Sequence, residues 1–465
     1  MRCCGSTAVT TKATEDTGRT QRSNGHGVTE TLSNAPHAAS GDALSSLCAS
    51  VTLWPIIFVS LCLLVLRIRG SRLFGGPLVT RIGMGLVGAG FVGPHHVDAV
   101  RRLGFVDIVA VAGSTDESGR RKADALGARR GYGSYEALID DREVQVVHNA
   151  TPNYLHYAVT SAALAKGKHV VSDKPLAMTA AESRKLVDQA RRAGVVAAVT
   201  FNYRGNPLVQ QARHLIARGD LGTPYFLHGF YLQDWLIKDT DYSWRLDPEM
   251  GGASSALGDI GSHWCDLAQH ISGLRITDVL GEITTVIPTR KKPKGSREAF
   301  AAAGGDEGVD LVDITVEDLA SVLLRFDNGA TGSFSVGQVC AGHKNDLVLE
   351  ICGSKASFRW QQEHQNELWI GHRDKANEML QKDPSLIESD VRGYAHLPGG
   401  HQEAWADAFC NLMRDIYGFI AEGRTPDDAH PPAFATFDDG YRANCIVEAI
   451  LDSARQGGVW TKVNY

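Results

Sequence analysis

A glycine-rich turn between an apolar strand and a helix is the sequence feature that most constrains the fold. The apolar run 81–87 predicts a strand, residues 92–103 predict a helix, and the turn between them fits the pattern GxGxxG. This order is typical of a dinucleotide-binding βαβ unit. The first glycine permits the tight turn, the second admits a pyrophosphate close to the backbone, and the third lets the helix pack against the strand. The helix N-terminus would supply N–H groups to the phosphates. The predicted cofactor-binding residues of this turn are Gly88, Gly90, Phe91, Val92 and Gly93.

Short apolar runs alternate with amphipathic stretches from residue 79 to residue 202. Further strands are predicted over 106–112, 144–150, 169–172 and 195–200. Helices are predicted over 118–126, 135–139, 154–165 and 180–193. Strands that alternate with helices of this length form parallel βαβ units. The sequence therefore predicts an α/β Rossmann domain over residues 79–202.

The pattern loosens after residue 202, where longer strands of alternating polarity follow one another. These strands are predicted over 225–232, 279–287, 318–326, 330–339 and 346–352, with a helix over 206–218 and an amphipathic closing helix over 403–422. The Gly- and Ala-rich stretch 290–308 predicts a surface loop. Alternating strands joined by turns favour antiparallel pairing. We therefore expect an α+β domain over residues 203–465 with a large, mostly antiparallel open sheet.

The N-terminal part of the chain differs in composition from the rest. Residues 1–43 have little apolar content and predict a disordered extension. Residues 44–66 carry no charge and form a candidate transmembrane segment, since about 20 apolar residues can span a bilayer. The arginines that follow, among them Arg67 and Arg69, favour a cytosolic position for the downstream domain. Two alternatives stay open, namely a loosely attached hydrophobic helix and a misassigned start codon.

Charge and cysteine usage exclude several functional classes. The formal net charge is −6, so no basic surface indicates a nucleic-acid partner. The nine cysteines form no CxxC pair, which argues against a zinc ribbon and against a disulfide framework. Reduced thiols in the cytoplasm are the expected state, and no metal is predicted.

The end of the second predicted strand bears on the choice of cofactor. An acid that reads the adenosine ribose is expected about 20 residues after the glycine turn. Ser114 stands at the strand end instead, Asp116 comes slightly late, and Arg120 and Arg121 follow. A hydroxyl with nearby arginines suits a 2′-phosphate, which favours NADP over NAD. The alternative is that both arginines lie on the solvated face of the next helix.

A lysine follows the predicted strand 169–172. Lys174 lies between Asp173 and Pro175, and the carboxyl end of a parallel strand faces the ligand crevice. A lysine partly removed from water can transfer protons near neutral pH. The alternative is a surface lysine in a turn.

A second candidate pair combines a carboxylate with an imidazole. Asp259 and His263 are four residues apart, so on a helix they share one face, where the carboxylate can orient the imidazole. Two alternatives compete with this interpretation. Asp259 could cap the helix, or the stripe that continues through Asp266 and His270 could bind a metal, although metal sites built from one helix are uncommon.

Taken in order along the chain, these motifs resemble the Gfo/Idh/MocA oxidoreductase family. The residues that carry the resemblance are the GxGxxG turn, Ala150-Thr151-Pro152-Asn153 with His156, Asp173-Lys174-Pro175, Asn202-Tyr203-Arg204 and Asp259-Ile260-Gly261-Ser262-His263. It extends from about residue 79 to the end of the chain. The resemblance implies a Rossmann domain followed by an α+β domain whose open sheet often mediates homo-oligomers.

The resemblance also implies roles for individual residues. Lys174, Asp259 and His263 would surround the reacting hydroxyl, with either Lys174 or His263 as the base. The residues implied at the nicotinamide end of the cofactor are Thr151, Pro152, Asn153 and His156, and Lys174 is also a predicted cofactor-binding residue. One departure is that Asp173 stands where the family usually has Glu, which keeps the charge but shortens the reach.

The expected substrate is a sugar, cyclitol or related polyol. Aromatic planes next to Asp and Arg suit the alternating apolar and hydroxyl faces of a sugar ring. The predicted substrate residues are Tyr203, Arg204, Trp244, Arg245, Asp259, His263 and His401. Trp244 could instead be a core anchor.

The predicted activity is hydride transfer between a nicotinamide and a hydroxyl carbon. The rival functions are a non-catalytic NAD(P)-binding sensor and a glycosidase that uses NAD for transient oxidation.

Overall fold

The computed structural model describes residues 81–294, 308–426 and 431–465. The predicted disordered extension and the candidate transmembrane segment lie outside these ranges. Within them, no helix combines the length and the apolar character that a membrane crossing requires.

From residue 82 to residue 199, strands and helices alternate as predicted, with one additional short strand over Arg130–Tyr132. The strands are β1 (Ile82–Val87), β2 (Val106–Ala112), β3 (Arg130–Tyr132), β4 (Val146–Asn149), β5 (His169–Ser172) and β6 (Ala197–Val199). The helices are α1 (Val92–Arg101), α2 (Asp116–Ala125), α3 (Tyr135–Asp140), α4 (Asn153–Ala165) and α5 (Ala180–Ala193). Neighbouring strands among these six pair in parallel. Every residue of β1 is buried, as expected for a strand covered on both faces.

The middle of the chain contains the longer strands. Helices there are α6 (Pro207–Arg218), α7 (Pro248–Gly251) and α8 (Ser262–Ser272), with a π-helical turn over Leu257–Gly261 and 3₁₀ turns over Asn202–Gly205, Trp244–Leu246, Gln362–His364 and Arg392–Tyr394. The strands are β7 (Pro224–Leu232), β8 (Ile276–Thr284), β9 (Thr289–Pro293), β10 (Val309–Asp313), β11 (Leu319–Phe326), β12 (Thr331–Gly337), β13 (Asp346–Gly353), β14 (Ser357–Gln361), β15 (Glu367–Gly371) and β16 (Glu378–Gln381).

The C-terminal region contains α9 (Trp405–Ala421), β17 (Ala435–Thr436), α10 (Phe437–Arg455) and β18 (Thr461–Lys462). The prediction of 403–422 as the closing helix was wrong in one respect, because the longer α10 follows it. Thr436 and Asp439 form a capping box at the start of α10, a signal that fixes where this helix begins.

Two large sheets organise these elements. The seven-stranded sheet has the order β17-β6-β5-β4-β1-β2-β3, and the nine-stranded sheet has the order β16-β15-β14-β13-β7-β12-β11-β8-β18. In the larger sheet only β7 and β12 pair in parallel, with Phe226 opposite Thr331. The predicted fold class, a Rossmann domain followed by a domain with a large, mostly antiparallel sheet, is confirmed.

The C-terminal segment returns to the first sheet. Strand β17 pairs with β6, and Phe409 and Met413 of α9 share a hydrophobic core with Met84 and Val97. The predicted domain boundary at residue 203 assigns the C-terminal segment to the second domain, whereas β17 and α9 pack against the first sheet. Because the return ties both sheets together, residues from α9 can reach the space between them.

The predicted surface loop 290–308 begins inside regular structure. Strands β9 and β10 form a two-stranded ribbon at its two ends, and residues 295–307 lie outside the described ranges. Arg290 is fully buried and donates a 2.7 Å hydrogen bond to Asp318. The loop prediction was wrong at this end because a buried partner charge, which the sequence pattern does not reveal, holds the arginine inside.

Candidate active site

The glycine turn after β1 has the shape that a dinucleotide pyrophosphate needs. Gly88 has φ +92°, and a Cβ there would lie 2.3 Å from the Ala150 carbonyl oxygen. A Cβ on Gly93 would lie 2.4 Å from the Gly88 carbonyl oxygen. A Cβ on Gly90 would meet no atom within 4 Å, so the backbone is open to a ligand at this position. The turn therefore fits a bound dinucleotide, with Phe91 and Val92 beside it.

The residues expected to distinguish NADP from NAD lie at the end of β2 and at the start of the helix that follows it. Ser114 and Arg120 are exposed. The Thr115 hydroxyl accepts a 3.1 Å hydrogen bond from the Ser118 amide and caps α2. Asp116 falls in the first turn of that helix, which begins two residues before its predicted start at residue 118.

The segment between β4 and α4 is fixed by polar contacts. The Thr151 hydroxyl donates to Asn149 at 2.7 Å, and Asn153 Nδ2 donates to the Gly251 carbonyl at 2.8 Å. Pro152 occupies the N-cap position of α4. The two ring nitrogens of His156 lie 2.5 and 2.8 Å from the carbonyl oxygens of Pro175 and Thr151. His156 is therefore a buried link between two loops and is not among the residues that line the cavity around Lys174.

Lys174 and Asp259 form a largely buried ion pair between the two parts of the protein. Lys174 Nζ donates to Asp259 Oδ1 and to the Asp259 carbonyl, both at 2.6 Å. Asp259 also accepts from Gln338 Nε2 at 2.8 Å and from Arg245 Nε at 3.3 Å. Burial raises the pKa of Asp259, but Lys174 and then Arg245 oppose it, so the net pKa lies below its ordinary value. Asp259 is therefore an anion held by three donors.

A π-helical turn places Asp259 at the start of the helix that carries His263. The Glu317 carboxylate accepts from the Ser254 hydroxyl at 2.7 Å and from the Ser255 and Leu257 amides at 2.9 and 2.8 Å. These bonds satisfy amides at the helix start that have no partner within the helix. π-Turns often occur at functional sites, because the wider turn redirects side chains.

His263 lies in the same cavity but is not held by Asp259. Its Nδ1 atom is buried and has no hydrogen-bond partner among the described residues. Its ring makes edge-on contacts with Phe201 and Tyr203, with centroids 5.4 and 5.1 Å away. Burial, and then the charge of Lys174, hold the pKa of His263 well below its ordinary value. The expectation that Asp259 orients this imidazole is therefore not met, because the carboxylate is occupied by its three donors.

The cavity around these groups has a volume of about 320 Å³. Its walls combine aromatic rings with amide and charged groups; they include Phe91, Val92, Asp173, Lys174, Asn202, Tyr203, Tyr231, Gln233, Arg245, Asp259, His263, Lys344, Asn345 and Trp405. On one wall Tyr203 OH lies 2.7 Å from Tyr231 OH, Tyr231 OH donates to Asn345 Oδ1 at 2.6 Å, and Asn345 Nδ2 donates to Tyr203 OH at 3.0 Å. Sequence reasoning missed Tyr231, Gln338 and Asn345, which carry no motif.

Three other predicted substrate residues do not line this cavity. Arg204 is buried and donates to both Asp266 oxygens, at 2.9 and 2.5 Å. Trp244 lies beneath Arg245, whose guanidinium carbon is 4.6 Å from the ring centroid. His401 is exposed, with Nδ1 3.3 Å from the Gly399 carbonyl oxygen. The geometry therefore does not support direct substrate contact by Arg204, Trp244 or His401, whereas Tyr203 and Arg245 face the cavity.

The parallel sheet carries a glycine turn that fits a dinucleotide, and Lys174, Asp259 and His263 line one cavity. This combination is typical of an NAD(P)-dependent oxidoreductase. Comparisons with known proteins agree. Residues 82–201 match a model described as an oxidoreductase family with an NAD-binding Rossmann fold, and residues 209–359 match the GFO/IDH/MocA C-terminal domain. The protein thus belongs to the Gfo/Idh/MocA oxidoreductase family, as its motifs predicted.

Individual relatives support the same assignment. Levoglucosan dehydrogenase of Pseudarthrobacter phenanthrenivorans is 31% identical over 391 residues, which cover 80% of this chain and 96% of that protein. 1,5-Anhydro-D-fructose reductase of Ensifer adhaerens is 34% identical over 256 residues, 54% of this chain and 70% of that protein. A solved structure of levoglucosan dehydrogenase in complex with NADH and levoglucosan has a TM-score of 0.74 at 28% identity and covers 83% of this chain and 100% of that one.

Proposed function

We propose that this oxidoreductase transfers a hydride between the nicotinamide and a ring hydroxyl carbon of a pyranose-type sugar, and that anhydro-sugars are the first substrates to test. The observation that carries the proposal is the convergence of Lys174, Asp259 and His263 in one cavity. The names of the two curated relatives, a levoglucosan dehydrogenase and a 1,5-anhydro-D-fructose reductase, support the substrate class. A cyclitol is an alternative within the same chemistry.

The proposed roles follow from the charge state of each group. The bound nicotinamide would supply hydride chemistry. We assign proton removal from the hydroxyl to His263, because burial keeps its imidazole neutral and its side chain lines the cavity beside Lys174. Lys174 is held by Asp259 with its N–H groups at the cavity wall. In the reverse reaction its ammonium would polarise the carbonyl oxygen.

The cavity walls are chemically suited to a sugar. The network of Tyr203, Tyr231 and Asn345 offers hydroxyl and amide groups that can exchange hydrogen bonds with ring hydroxyls. Gln233 donates to Asn345 at 2.8 Å and extends this wall. Aromatic rings beside these groups can cover the apolar face of a pyranose.

For the cofactor we propose a preference for NADP over NAD. Ser114 and Arg120 are exposed at the end of β2, and a guanidinium with a hydroxyl can hold a 2′-phosphate. Levoglucosan dehydrogenase has been solved in complex with NADH, so the proposed preference for NADP rests on Ser114 and Arg120 of this chain alone.

The rival functions are not favoured. The named relatives above are a dehydrogenase and a reductase, and a sensor would not need Lys174, Asp259 and His263 in one cavity. Net consumption of cofactor separates a dehydrogenase from a glycosidase that oxidises its substrate only transiently.

An absorbance assay at the nicotinamide band tests the proposal. The full chain is incubated with NADP or NAD and a panel of anhydro-sugars, pyranoses and cyclitols. We expect turnover with at least one sugar, and we expect Lys174→Ala and His263→Ala to lower kcat by about 10²–10⁴-fold, the range of proton-transfer catalysis. Both variants should still bind the cofactor, as measured by a fluorescence titration.

Two variants at exposed positions serve as matched controls. Lys166→Ala and His364→Ala remove the same side-chain types at exposed positions and should keep wild-type kcat. Full turnover in both Lys174→Ala and His263→Ala would contradict the assigned roles. No turnover with any member of the panel would contradict the substrate class.

Assembly and compartment are further proposals. The open face of the nine-stranded sheet exposes Phe226 and Leu323, and we propose that a second copy of the chain covers it. Within the described part of the chain, Cys265, Cys340, Cys352, Cys410 and Cys445 are free thiols, which supports a reducing, cytosolic compartment. Whether residues 44–66 anchor the protein to a membrane stays a prediction.

A further inference from the structure

Three side chains that can ligate a metal converge on the open face of the nine-stranded sheet. His228 lies on β7, and Glu350 and Cys352 lie on the neighbouring strand β13. Each offers one ligand atom, an imidazole nitrogen, a carboxylate oxygen or the thiol sulfur, and these atoms all lie within 4.8 Å of one another. These three residues do not line the cavity of the candidate active site. The cluster is therefore separate from the proposed reaction.

The register of the sheet brings the three side chains together. Strands β7 and β13 are antiparallel, and His228 stands directly opposite Glu350, where Cβ atoms are about 4.5–5.5 Å apart. Cys352 comes two residues after Glu350, so its side chain points to the same face. The intervening residues Leu227 and Ile351 point to the other face and are buried in the core. The sequence pattern predicted no metal, because these ligands come from strands far apart in the chain.

The distances within the cluster fit one small ion. His228 Nε2 lies 4.0 Å from Glu350 Oε2, and Cys352 Sγ lies 3.7 Å from Glu350 Oε1. Ligand atoms that surround a tetrahedral zinc ion lie about 3.3–3.6 Å from one another. Small side-chain rotations therefore suffice for all three groups to reach one ion. The His228 and Glu350 side chains are 39% and 17% exposed, so an ion can enter from solvent.

Neighbouring side chains orient the imidazole and leave the carboxylate accessible. Phe226 stacks on the His228 ring with the centroids 5.0 Å apart. Arg359 Nη1 lies 3.9 Å from Glu350 Oε2, which is beyond hydrogen-bond distance. The Arg359 guanidinium lies instead over the Trp369 ring, 5.0 Å from its centroid. Glu350 can therefore turn toward a metal without breaking a hydrogen bond to this arginine.

We propose that His228, Glu350 and Cys352 bind a zinc ion, with water in the fourth position. Imidazole, carboxylate and thiolate are the ligand types that zinc takes in proteins. The sulfur ligand selects zinc over magnesium and calcium, which take oxygen ligands. On binding, the Cys352 thiol releases its proton to solvent, and the thiolate and the carboxylate balance the two charges of the ion. The ion links β7 to β13, and this inference goes beyond the proposed function and does not depend on it.

Zinc binding to the full chain tests the proposal. The chain is first stripped of metal, and zinc is then titrated in competition with a chromophoric chelator. We expect one zinc per chain at a site that Cys352→Ser and His228→Ala each weaken by about a hundredfold or more, since loss of an outer partner of a metal ligand alone costs about 10–100-fold. Zinc should raise the unfolding temperature of the wild type more than that of either variant, because an ion that binds the folded state stabilises it.

Cobalt substitution identifies the sulfur ligand. Co²⁺ binds the same nitrogen and sulfur ligands, and a thiolate bound to it gives a charge-transfer absorption in the near ultraviolet. We expect this absorption in the wild type and its loss in Cys352→Ser. Glu350→Gln should bind cobalt more weakly but should keep the absorption, because its sulfur ligand is retained. An equal absorption in Cys352→Ser and the wild type would overturn the proposal.

Two variants outside the cluster serve as matched controls. Cys340→Ser removes a partly exposed thiol, and His364→Ala removes an exposed imidazole; both should bind zinc like the wild type. In metal-free buffer the three cluster variants should unfold at the wild-type temperature. A lower temperature in all three would show that the cluster serves the fold, which would overturn the proposal.

Two binding results would also contradict it. One is wild-type zinc affinity in all three cluster variants. The other is one zinc per two chains, which would show a site shared between copies instead of one built from three ligands of a single chain. Because these titrations contain neither cofactor nor sugar, a failure of the proposed reaction leaves their outcome unchanged.

Discussion

Replacing Lys174 by methionine isolates the energetic role of its pairing with Asp259. Methionine keeps most of the side-chain volume but removes the ammonium, which makes two 2.6 Å hydrogen bonds. The side chains of the pair are 14% and 16% exposed, so water cannot fully replace the lost partner. Asp259 would retain Gln338 and the more distant Arg245.

The expected loss of stability follows from the burial of the remaining charge. Breaking a buried ion pair by removing one partner costs about 3–5 kcal/mol. Because two donors remain on Asp259, we expect the lower end, about 3 kcal/mol. With an unfolding entropy of about 2.1 cal/mol/K per residue, this corresponds to a fall of about 4 °C in Tm for the part of the chain that the structure describes.

The pH dependence gives the sign of the effect. In the wild type the pKa of Asp259 lies below its unfolded value of 3.8, so this stabilisation is complete above that value and is lost as pH falls through the folded pKa. In Lys174→Met the opposing charge of Lys174 is absent and burial raises the pKa of Asp259. The loss in free energy of unfolding caused by Lys174→Met should therefore be largest at pH 7 and should become smaller in acid, as Asp259 takes up a proton.

Scanning calorimetry at pH 7 and pH 4.5 measures this effect in a double-mutant cycle. Lys174→Met/Asp259→Asn should recover much of the loss, because no unpaired buried charge remains. Lys166→Met, on an exposed lysine with 57% of its side chain accessible, controls for the chemical change. Strict additivity of the two single variants, or a penalty that does not change with pH, would refute the reasoning.

Three further predictions test the cofactor site and the assembly. Arg120→Ala should lower kcat/KM for NADP by about tenfold or more in steady-state kinetics, since one charge-assisted contact is lost, and should leave kcat/KM for NAD unchanged. An equal fall with both cofactors would contradict the proposed contact. Gly90→Val should weaken dinucleotide binding in a fluorescence titration at an unchanged Tm, because no protein atom lies within 4 Å of the added Cβ; a lowered Tm would indicate a packing role. Phe226→Glu with Leu323→Glu should reduce the mass found by light scattering, because these side chains are 39% and 48% exposed on the open sheet face; an unchanged mass would exclude that face as the interface.

Most of the fold follows from local patterns in the sequence. Residues 169–172 and 180–193 were predicted with the bounds that β5 and α5 have. Alternating polarity over 318–326 likewise predicted β11, whose residues are alternately buried and exposed. Period-two and period-3.6 patterns are properties of neighbouring residues, so they can be recognised without the tertiary structure.

The pairing of elements distant in the chain could not be predicted in the same way. Helix α9 shows an amphipathic pattern, but nothing in it states that its apolar face packs against the first sheet. Gln338 lies beyond the end of a strand and carries no motif, yet it donates to Asp259. A single polar side chain gains a role only when the fold brings its partner within hydrogen-bond distance.

Residue type and local spacing were enough to predict the glycine turn, most strands of both sheets, and Lys174, Asp259 and His263 as candidate site residues. The partners of these candidates depend on the tertiary structure. It holds Asp259 through Lys174 and leaves His263 Nδ1 without a partner among the described residues, although helical spacing suggested an Asp259–His263 pair. It also turns Arg204 into a buried ion pair with Asp266. Charges find partners through three-dimensional distance and burial, and both depend on chain segments far apart in sequence.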